Sequence, residues 1–448
     1  MNLFIPPQVD GILKRLAENG REAYVVGGCV RDSLLGLTPN DWDIATSALP
    51  EETERIFADR RVIETGLRHG TVTVLCDKMP VEVTTYRIDG TYSDGRHPDG
   101  VSFTRSLKDD LARRDFTVNA LAYNKHDGLV DCFGGQSDLE DGVIRCVGDA
   151  DVRFQEDGLR ILRALRFSSV LGFSVEKKTA ESVMNNRGLL DLIAGERIQA
   201  ELMKLLCGRG AAAVLRGFRE VVAQFIPEIR PMFGFDQHNP HHSYDVWEHT
   251  LHCVEAVEPE PVLRLTMFLH DIGKPGRFTQ GADGVGHFYG HPEKSAEIAH
   301  EILNRLRFDK KTSATVLTLV RSHGLPLLPE ERCLRRRLNL LGERNLRLLV
   351  RVQEADARSK AVPDERYLAG LREIPEAIDR MVKQGQCFSL KDLAVRGNDL
   401  LRAGVPEGEE VGEMLRILLD AVLDGKCPNS KPELLQYAWT RKGEKQHE

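Results

Sequence analysis

A chain of 448 residues, 41% hydrophobic and 29% charged, has the size for roughly two to four domains with sizeable cores. Its formal charge of −7 carries no global nucleic-acid signature, so any basic binding surface has to be local. The first seven residues, Met1 to Pro7, have no basic n-region and no long apolar stretch, no run is long enough to span a bilayer, and the nine cysteines form no C-x-x-C pair. These features predict a cytoplasmic chain with reduced thiols, without signal peptide or transmembrane segment.

Apolar spacing predicts a first helix over 9–19. The stretch Tyr24-Val25-Val26-Gly27-Gly28-Cys29-Val30-Arg31-Asp32 follows, a β-type run that breaks at two glycines and passes into a short helix over 30–35. After a turn through Pro39 and Asn40, period-2 alternation sets Asp41 and Asp43 on one face of an extended segment. Two carboxylates on one face suit divalent metal, and hard Mg²⁺ prefers carboxylate and phosphate oxygens. Paired glycines followed by Arg31 let backbone N–H groups and a guanidinium approach a polyphosphate, Gly28 among them. The stretch therefore reads as a metal-and-triphosphate site.

A second helix is expected over 50–57, then strands over 71–75 and 81–86. Glu82 on the later strand is either a third carboxylate for the metal pair or a solvent-facing strand residue. Residues 91–100 are polar and rich in turn formers, which predicts a mobile loop, either a lid or a plain surface loop. In Arg113-Arg114-Asp115-Phe116-Thr117-Val118-Asn119 the adjacent arginines are suited to clamp phosphates. Asp115 is expected to hold one of these guanidiniums, with Asn119 on the same side one turn later. Residues 129–135 read as a strand ending in a structural tight turn.

From about residue 150 the pattern turns helical. The run over 156–167 places Asp157, Arg160, Arg163 and Arg166 at three-residue spacing, a polar stripe opposite Leu159, Leu162 and Phe167. The common reading is a salt-bridged amphipathic helix. The specific one is a base-reading edge made of protein: cytosine and adenine each present an amino donor beside a ring-nitrogen acceptor, matching Asp157 and Arg160. Uracil and guanine present a carbonyl instead and leave buried groups unpaired, at about 1–3 kcal/mol each. A second charged helix over 196–204 follows. Between Arg153 and Arg230, thirteen Arg or Lys stand against nine Asp or Glu, a local basic surplus suited to an RNA backbone.

These motifs in this order, G-G-x-x-R-D, D-x-D, R-R-D-F-T-x-N-A, L-x-D-x-x-G-G and E-D-x-x-R, resemble the bacterial class II tRNA nucleotidyltransferases (CCA-adding enzymes) of the polymerase-β and poly(A) polymerase superfamily. The resemblance covers roughly residues 20 to 215. It implies Mg²⁺ on Asp41 and Asp43, nucleotide binding by Gly28, Arg31 and Arg114, and base reading by Asp157 and Arg160. It also implies CTP and ATP as substrates, tRNA as partner, and the loop at 91–100 in the place of the family's flexible loop.

Beyond this pattern lies a histidine-rich section: His241, His242 and His249, then His270-Asp271, His291, His323 and Asp356. Imidazole and carboxylate donors suit divalent transition metals. Their order resembles the HD phosphohydrolase superfamily, which implies His249, His270, Asp271 and Asp356 as the basic ligand set for Mn²⁺, Ni²⁺ or Co²⁺. His291 and His323 would serve a second metal, and 2′,3′-cyclic phosphates or simple phosphomonoesters would be substrates. Helices are expected around 390–395, 400–404 and 411–424, with a last one after 429.

The fold expected is α+β: a nucleotidyltransferase head over 1–150, then an all-α neck over 151–215 that selects nucleotides and contacts RNA, an HD-like body over 216–365 and a tRNA-binding tail over 366–448. The expected function is CCA addition to tRNA 3′ ends by two-metal nucleotidyl transfer. Two alternatives stand beside it, a poly(A) polymerase, and an HD phosphohydrolase whose head only recruits RNA. The intact Asp41/Asp43 pair speaks against the latter.

Overall fold

The computed structural model describes residues 3–77, 79–90, 100–238, 244–360 and 362–445. The chain divides into two compact units, Met1–Arg230 and Pro231–Glu448. Most of the polar loop singled out in the sequence (91–99), together with His241 and His242, lies outside the described residues.

The first unit opens with α1 (Pro7–Glu18), where Val9, Ile12, Leu13 and Leu16 repeat at helical spacing and are buried. There follow β1 (Ala23–Val26), α2 (Gly28–Leu34), β2 (Asp43–Thr46), α3 (Pro50–Ile56), β3 (Val62–Gly66), β4 (Thr71–Cys76), β5 (Met79–Thr85), β6 (Arg87–Asp89) and β7 (Val101–Phe103). The sheet region closes with α4 (Leu107–Ala112), β8 (Leu121–Asn124), β9 (Gly128–Asp131) and α5 (Gly135–Glu140). Seven strands make one sheet in the order β3-β4-β5-β2-β1-β8-β9. Its neighbours are antiparallel except β2 and β5, which run parallel and pair Asp43 with Glu82. Strand β1 sits mid-sheet and is buried along its whole length, which explains its unbroken apolar run.

The rest of this unit is helical: α6 (Ala150–Glu156), α7 (Leu159–Leu171), α8 (Lys177–Asn185), α9 (Gly195–Leu206), α10 (Ala211–Gly217) and α11 (Arg219–Phe225). A short parallel pair, β10 (Val143–Ile144) with β11 (Ser174–Val175), spans its start. One helix was expected over 156–167, but the chain breaks at Asp157, whose backbone is extended (φ −146°, ψ 104°), and α7 restarts two residues later. Asp157 Oδ1 accepts from the Leu159 N–H at 3.0 Å, so the short carboxylate caps a new helix instead of continuing the old one. Gly158 permits the close approach here, since a Cβ on it would stand 3.0 Å from that of Leu189. Asp157 therefore sits at a helix start, not on a continuous polar stripe.

The second unit contains α12 (Val246–Ala256), α13 (Pro261–Leu269), the small hairpin of β12 (Thr279–Gln280) and β13 (Gly286–His287), α14 (His291–Arg305), α15 (Lys310–Ser322), α16 (Glu331–Arg358, broken at Gly342) and α17 (Glu365–Lys383). Helix α13 packs on α12, α15 and α16. It buries Leu263, Leu265, Met267, Phe268 and Leu269, worth roughly 1.5–3 kcal/mol each before chain entropy is subtracted. Helices α18 (Gly397–Arg402), α19 (Glu409–Leu423) and α20 (Lys431–Lys445) gather a second core around Val395, Leu400, Leu418, Leu423 and Leu434. Among the described residues no helix is long and apolar enough to cross a membrane.

Candidate nucleotide cleft and candidate metal centre

A cleft of about 580 Å³ in the first unit collects residues from the turn after β1, α2, β2, the turn after α4, α7 and α9. Gly27, Gly28, Arg31, Asp41, Asp43, Arg113, Arg114, Asp115, Asn119, Asp157, Arg160, Arg163 and Arg166 all line it. Every candidate nucleotide-site residue named from the sequence is thus brought to one place. Seven arginines and four aspartates line the cleft, so it is net positive inside a chain of net charge −7.

Its carboxylate side is built on β2. Asp43 starts that strand and Asp41 stands two residues before it, both exposed to the cleft. Parallel pairing sets Glu82 beside Asp43. The Asp43 carboxyl is pushed up by loss of water, next by Glu82 and also by Asp41, against the pull of Arg114. Three oxygen-donor carboxylates crowded together fit a hard divalent cation such as Mg²⁺, which relieves their repulsion.

The opposite side is a lattice of guanidiniums held by carboxylates. Arg113 places Nε and a terminal nitrogen 3.0 and 2.8 Å from Asp110 Oδ1, and Arg114 reaches Asp110 Oδ2 at 3.3 Å. The holder of the adjacent arginines is therefore Asp110, one turn earlier on α4, and not Asp115. Asp115 instead receives Arg163 through two nitrogens at 2.8 and 2.5 Å and the Asn119 amide at 3.0 Å. Burial pushes the Asp115 carboxyl up, but Arg163 and Asn119 win and hold it down at about 2. Asn119 Oδ1 in turn accepts from Arg31 at 2.6 Å, which completes a chain Arg163–Asp115–Asn119–Arg31. The Phe167 ring lies beneath Arg166, Arg31 and Arg163, at 3.9, 5.0 and 5.4 Å from their guanidinium carbons.

Gly27 takes φ +77°, and a Cβ there would meet an Arg114 terminal nitrogen at 2.8 Å. It is the glycine that both turns the chain and admits the arginine. Asp157 Oδ2 accepts from Arg197 of α9 at 2.8 Å. Arg160 donates to the carbonyls of Arg153 and Arg113 at 3.1 and 3.2 Å and pairs with Glu156. Sequence reading took Gly27 only as one of the paired glycines and did not single out Asp110 or Arg197 as site residues. Asp110 at i−3 and i−4 from the arginine pair was the available signal for the first, while Arg197 needed the packing of α9 on α7.

In the second unit His249, His270, Asp271, His291, His323 and Asp356 stand together, from α12, the end of α13, the start of α14, the end of α15, and α16. Buried Asp271 is central. Its Oδ2 is 3.1 Å from His270 Nε2 and 3.5 Å from His249 Nε2, while its Oδ1 is 3.3 and 3.5 Å from Nε2 of His291 and His323. His249 Nε2 lies 3.0 Å from Asp356. The imidazoles of His270, His291 and His323 each place Nδ1 2.7–2.8 Å from the carbonyl three residues back. That contact makes Nδ1 the protonated nitrogen and leaves Nε2 with its lone pair toward the cluster.

Burial alone disfavours charge on this group, yet Asp271 is held well below the carboxylate range by His270 and Lys274. Burial lowers the affinity of His249 for a proton, but Cys253 and Asp356 raise its pKa to about 9. His270 Nε2 and Asp271 Oδ1 are buried without a properly directed hydrogen bond, while Asp271 Oδ2 has Lys274 Nζ as an ion-pair partner at 2.7 Å. Orphaned lone pairs on a nitrogen-and-oxygen donor set fit a bound transition-metal ion. Cys253, one turn after His249 on the same face of α12, joins the donors and escaped sequence reading; the i, i+4 spacing was the signal.

The sheet, cleft and following helices belong to a nucleotidyltransferase of the poly(A) polymerase superfamily. The family model described as poly A polymerase head domain matches residues 23–145, and the probable RNA and SrmB-binding site of polymerase A matches 172–232. A third model, tRNA nucleotidyltransferase domain 2 (putative), matches 291–438. The CCA-adding enzyme of Levilactobacillus brevis is 33% identical over 427 residues, 95% of each chain, and the present chain belongs to the CCA-adding enzyme family. The enzyme of Leuconostoc mesenteroides is 49% identical over 218 residues, 48% of this chain and 54% of that protein. At that level of identity the chain spans about half the length of such relatives. The crystal structure of Bacillus stearothermophilus CCA-adding enzyme in complex with CTP superposes with a TM-score of 0.76 at 30% identity, covering 99% of this chain and 100% of that one. A Thermotoga maritima CCA-adding enzyme complexed with tRNA, 21% identical with a TM-score of 0.60, shares the fold.

Proposed function

We propose that the chain adds C, C and A to the 3′ end of tRNA from CTP and ATP. The observation that carries this reading is the single cleft in which Asp41 and Asp43 face a carboxylate-held set of arginines, with Asp157 and Arg160 at one side. Family membership over nearly the full length supports it. The tRNA 3′-hydroxyl oxygen attacks the nucleotide α-phosphate, the new P–O bond forms in line, and pyrophosphate leaves. When bound at Asp41 and Asp43, divalent ions such as Mg²⁺ supply positive charge that acidifies the hydroxyl and offsets the leaving pyrophosphate.

The residues divide the remaining work. The Gly27–Gly28 backbone and Arg31 approach the triphosphate, and Arg113 and Arg114, held by Asp110, extend that anion-binding wall. Asp157, fixed by Arg197 and by the Leu159 N–H, accepts from the amino group shared by cytosine and adenine. Arg160 donates to the neighbouring ring nitrogen, and Glu82 serves as a third carboxylate beside Asp43. Incubation with tRNA lacking its terminal trinucleotide, with each nucleoside triphosphate singly and together, tests the reading. Addition of C, C and A and no more supports it, and a long adenylate tail makes the chain a poly(A) polymerase.

A second reading rests on the second unit, where six donors of the HD order converge around Asp271 with orphaned lone pairs. His249, His270, Asp271 and Asp356, with His291 and His323, hold divalent transition metal such as Mn²⁺, Ni²⁺ or Co²⁺. When bound, it supplies Lewis acidity toward a 2′,3′-cyclic phosphate or a phosphomonoester. A tRNA end closed as a cyclic phosphate has no free hydroxyl. Water breaking its P–O3′ bond frees the 3′-hydroxyl and leaves a 2′-phosphate, and a second hydrolysis of that monoester releases inorganic phosphate and restores a primer for the first site. If metal-loaded wild-type protein neither opens the ring of a 2′,3′-cyclic phosphate nor releases phosphate from a monoester, this reading falls and the first stays intact.

A further inference from the structure

The HD order supplies nitrogen and oxygen donors only, yet a sulfur stands among them. Cys253 is buried on α12, its Sγ 3.5 Å from His249 Nε2. The donor atoms of His249, Cys253, His270 and Asp356 all lie within 4.8 Å of one another, and those of Asp271, His291 and His323 form a second such group. A tetrahedral ion bound through sulfur, nitrogen and oxygen at its normal bond lengths spaces its donors roughly 3.3–3.8 Å apart. The sulfur is therefore within ligand range of the first group. His270 Nε2, fully buried and lacking a properly directed hydrogen bond, belongs to that same group.

We propose that Cys253 is a metal ligand, so that the two metal pockets meeting at Asp271 are chemically unlike: one with sulfur, His249, His270 and Asp356, the other with His291 and His323. This rests on the metal-centre reading of the second unit. On metal entry the S–H bond is replaced by a sulfur–metal bond and the proton leaves to solvent. A thiolate donor steers the first pocket to borderline-soft ions such as Zn²⁺ or Co²⁺ and away from Mg²⁺, whereas the sulfur-free pocket accepts harder ions.

The test titrates Co²⁺ into metal-stripped full-length protein under anaerobic conditions and follows thiolate-to-cobalt charge-transfer absorption beside equilibrium dialysis. Wild type is compared with Cys253→Ser and Cys253→Ala, the latter covering the case in which serine is not tolerated, and with His270→Ala. Wild type is expected to bind cobalt with the charge-transfer band. The Cys253 variants should bind without it, weakened about tenfold or more, since losing a direct ligand costs at least what losing its supporting residue does. Cobalt binding by wild type without the band, or equal affinity in the Cys253 variants, overturns the ligand assignment and leaves the metal centre standing. Absence of cobalt binding by wild type overturns both.

Discussion

Replacing Asp115 by Asn removes one charge from the centre of the Arg163–Asp115–Asn119–Arg31 chain while keeping its shape. Asp115 is 7% exposed and accepts both Arg163 nitrogens. Its carboxyl sits at about 2 in the folded protein against 3.8 unperturbed. That difference is worth about 2–3 kcal/mol at neutral pH, and the Arg163 guanidinium, whose side chain is 34% exposed, keeps access to water and adds little to it. The folded-state pKa is the depressed one, so this stability is fully present above about 3.8 and is lost as pH falls toward about 2. Hydrogen exchange of peptides within Leu159–Leu171, read against urea at pH 7, 5 and 3.5, measures it locally without assuming that the two units unfold together. The variant is expected to open α7 more readily at pH 7 and 5, with the gap narrowing at pH 3.5. A gap below about 1 kcal/mol at pH 7, or one that widens on acidification, refutes the reasoning, because a buried carboxylate accepting a bidentate guanidinium cannot behave so.

Asp41→Ala and Asp43→Ala are each expected to lower nucleotide addition by at least about two to three orders of magnitude with tRNA affinity nearly unchanged; addition near the wild-type rate removes them as metal ligands. Asp157→Ala should reduce the preference for CTP over UTP roughly 10–100-fold and slow both C and A addition, and Arg197→Ala should reproduce part of that loss through a freed Asp157. If UTP stays excluded as strongly in both, base choice lies elsewhere. Gly27→Ala forces a strained backbone and displaces Arg114, so nucleotide KM should rise about tenfold or more, which single-nucleotide kinetics read directly. His270→Ala/Asp271→Ala should abolish phosphoester hydrolysis and spare CCA addition, whereas Asp41→Ala should do the reverse; loss of both activities in either protein argues against two independent sites.

Much of this molecule is legible in its residues because the signals are local. A β-run ending in two glycines, carboxylates at period two and apolar residues at helical spacing each declare themselves within one or two turns of chain. So β1, β2, α1 and the members of the cleft lining follow from neighbours a few residues apart. The partners of those side chains do not. Both Asp110 and Asp115 neighbour the arginine pair in sequence, and only the packing of α7 beside the segment after α4, where Phe167 meets Phe116, turns Asp115 toward Arg163 and leaves the pair to Asp110. That Glu82 lies beside Asp43 comes from a parallel register formed across a long connection, which its own sequence neighbours do not announce. The break at Asp157 goes with its contact to the Leu159 N–H, and the close passage of Leu189 over Gly158 belongs to that break. In the second unit the order of histidines and aspartates announces a donor set. That Asp271 lies at its centre, and that Cys253 stands among the ligands, is decided by how α12, α13, α14, α15 and α16 come together. Charge pairing here acts over 2.5–3.0 Å between residues 40 or more positions apart, and such distances are set by the tertiary fold alone.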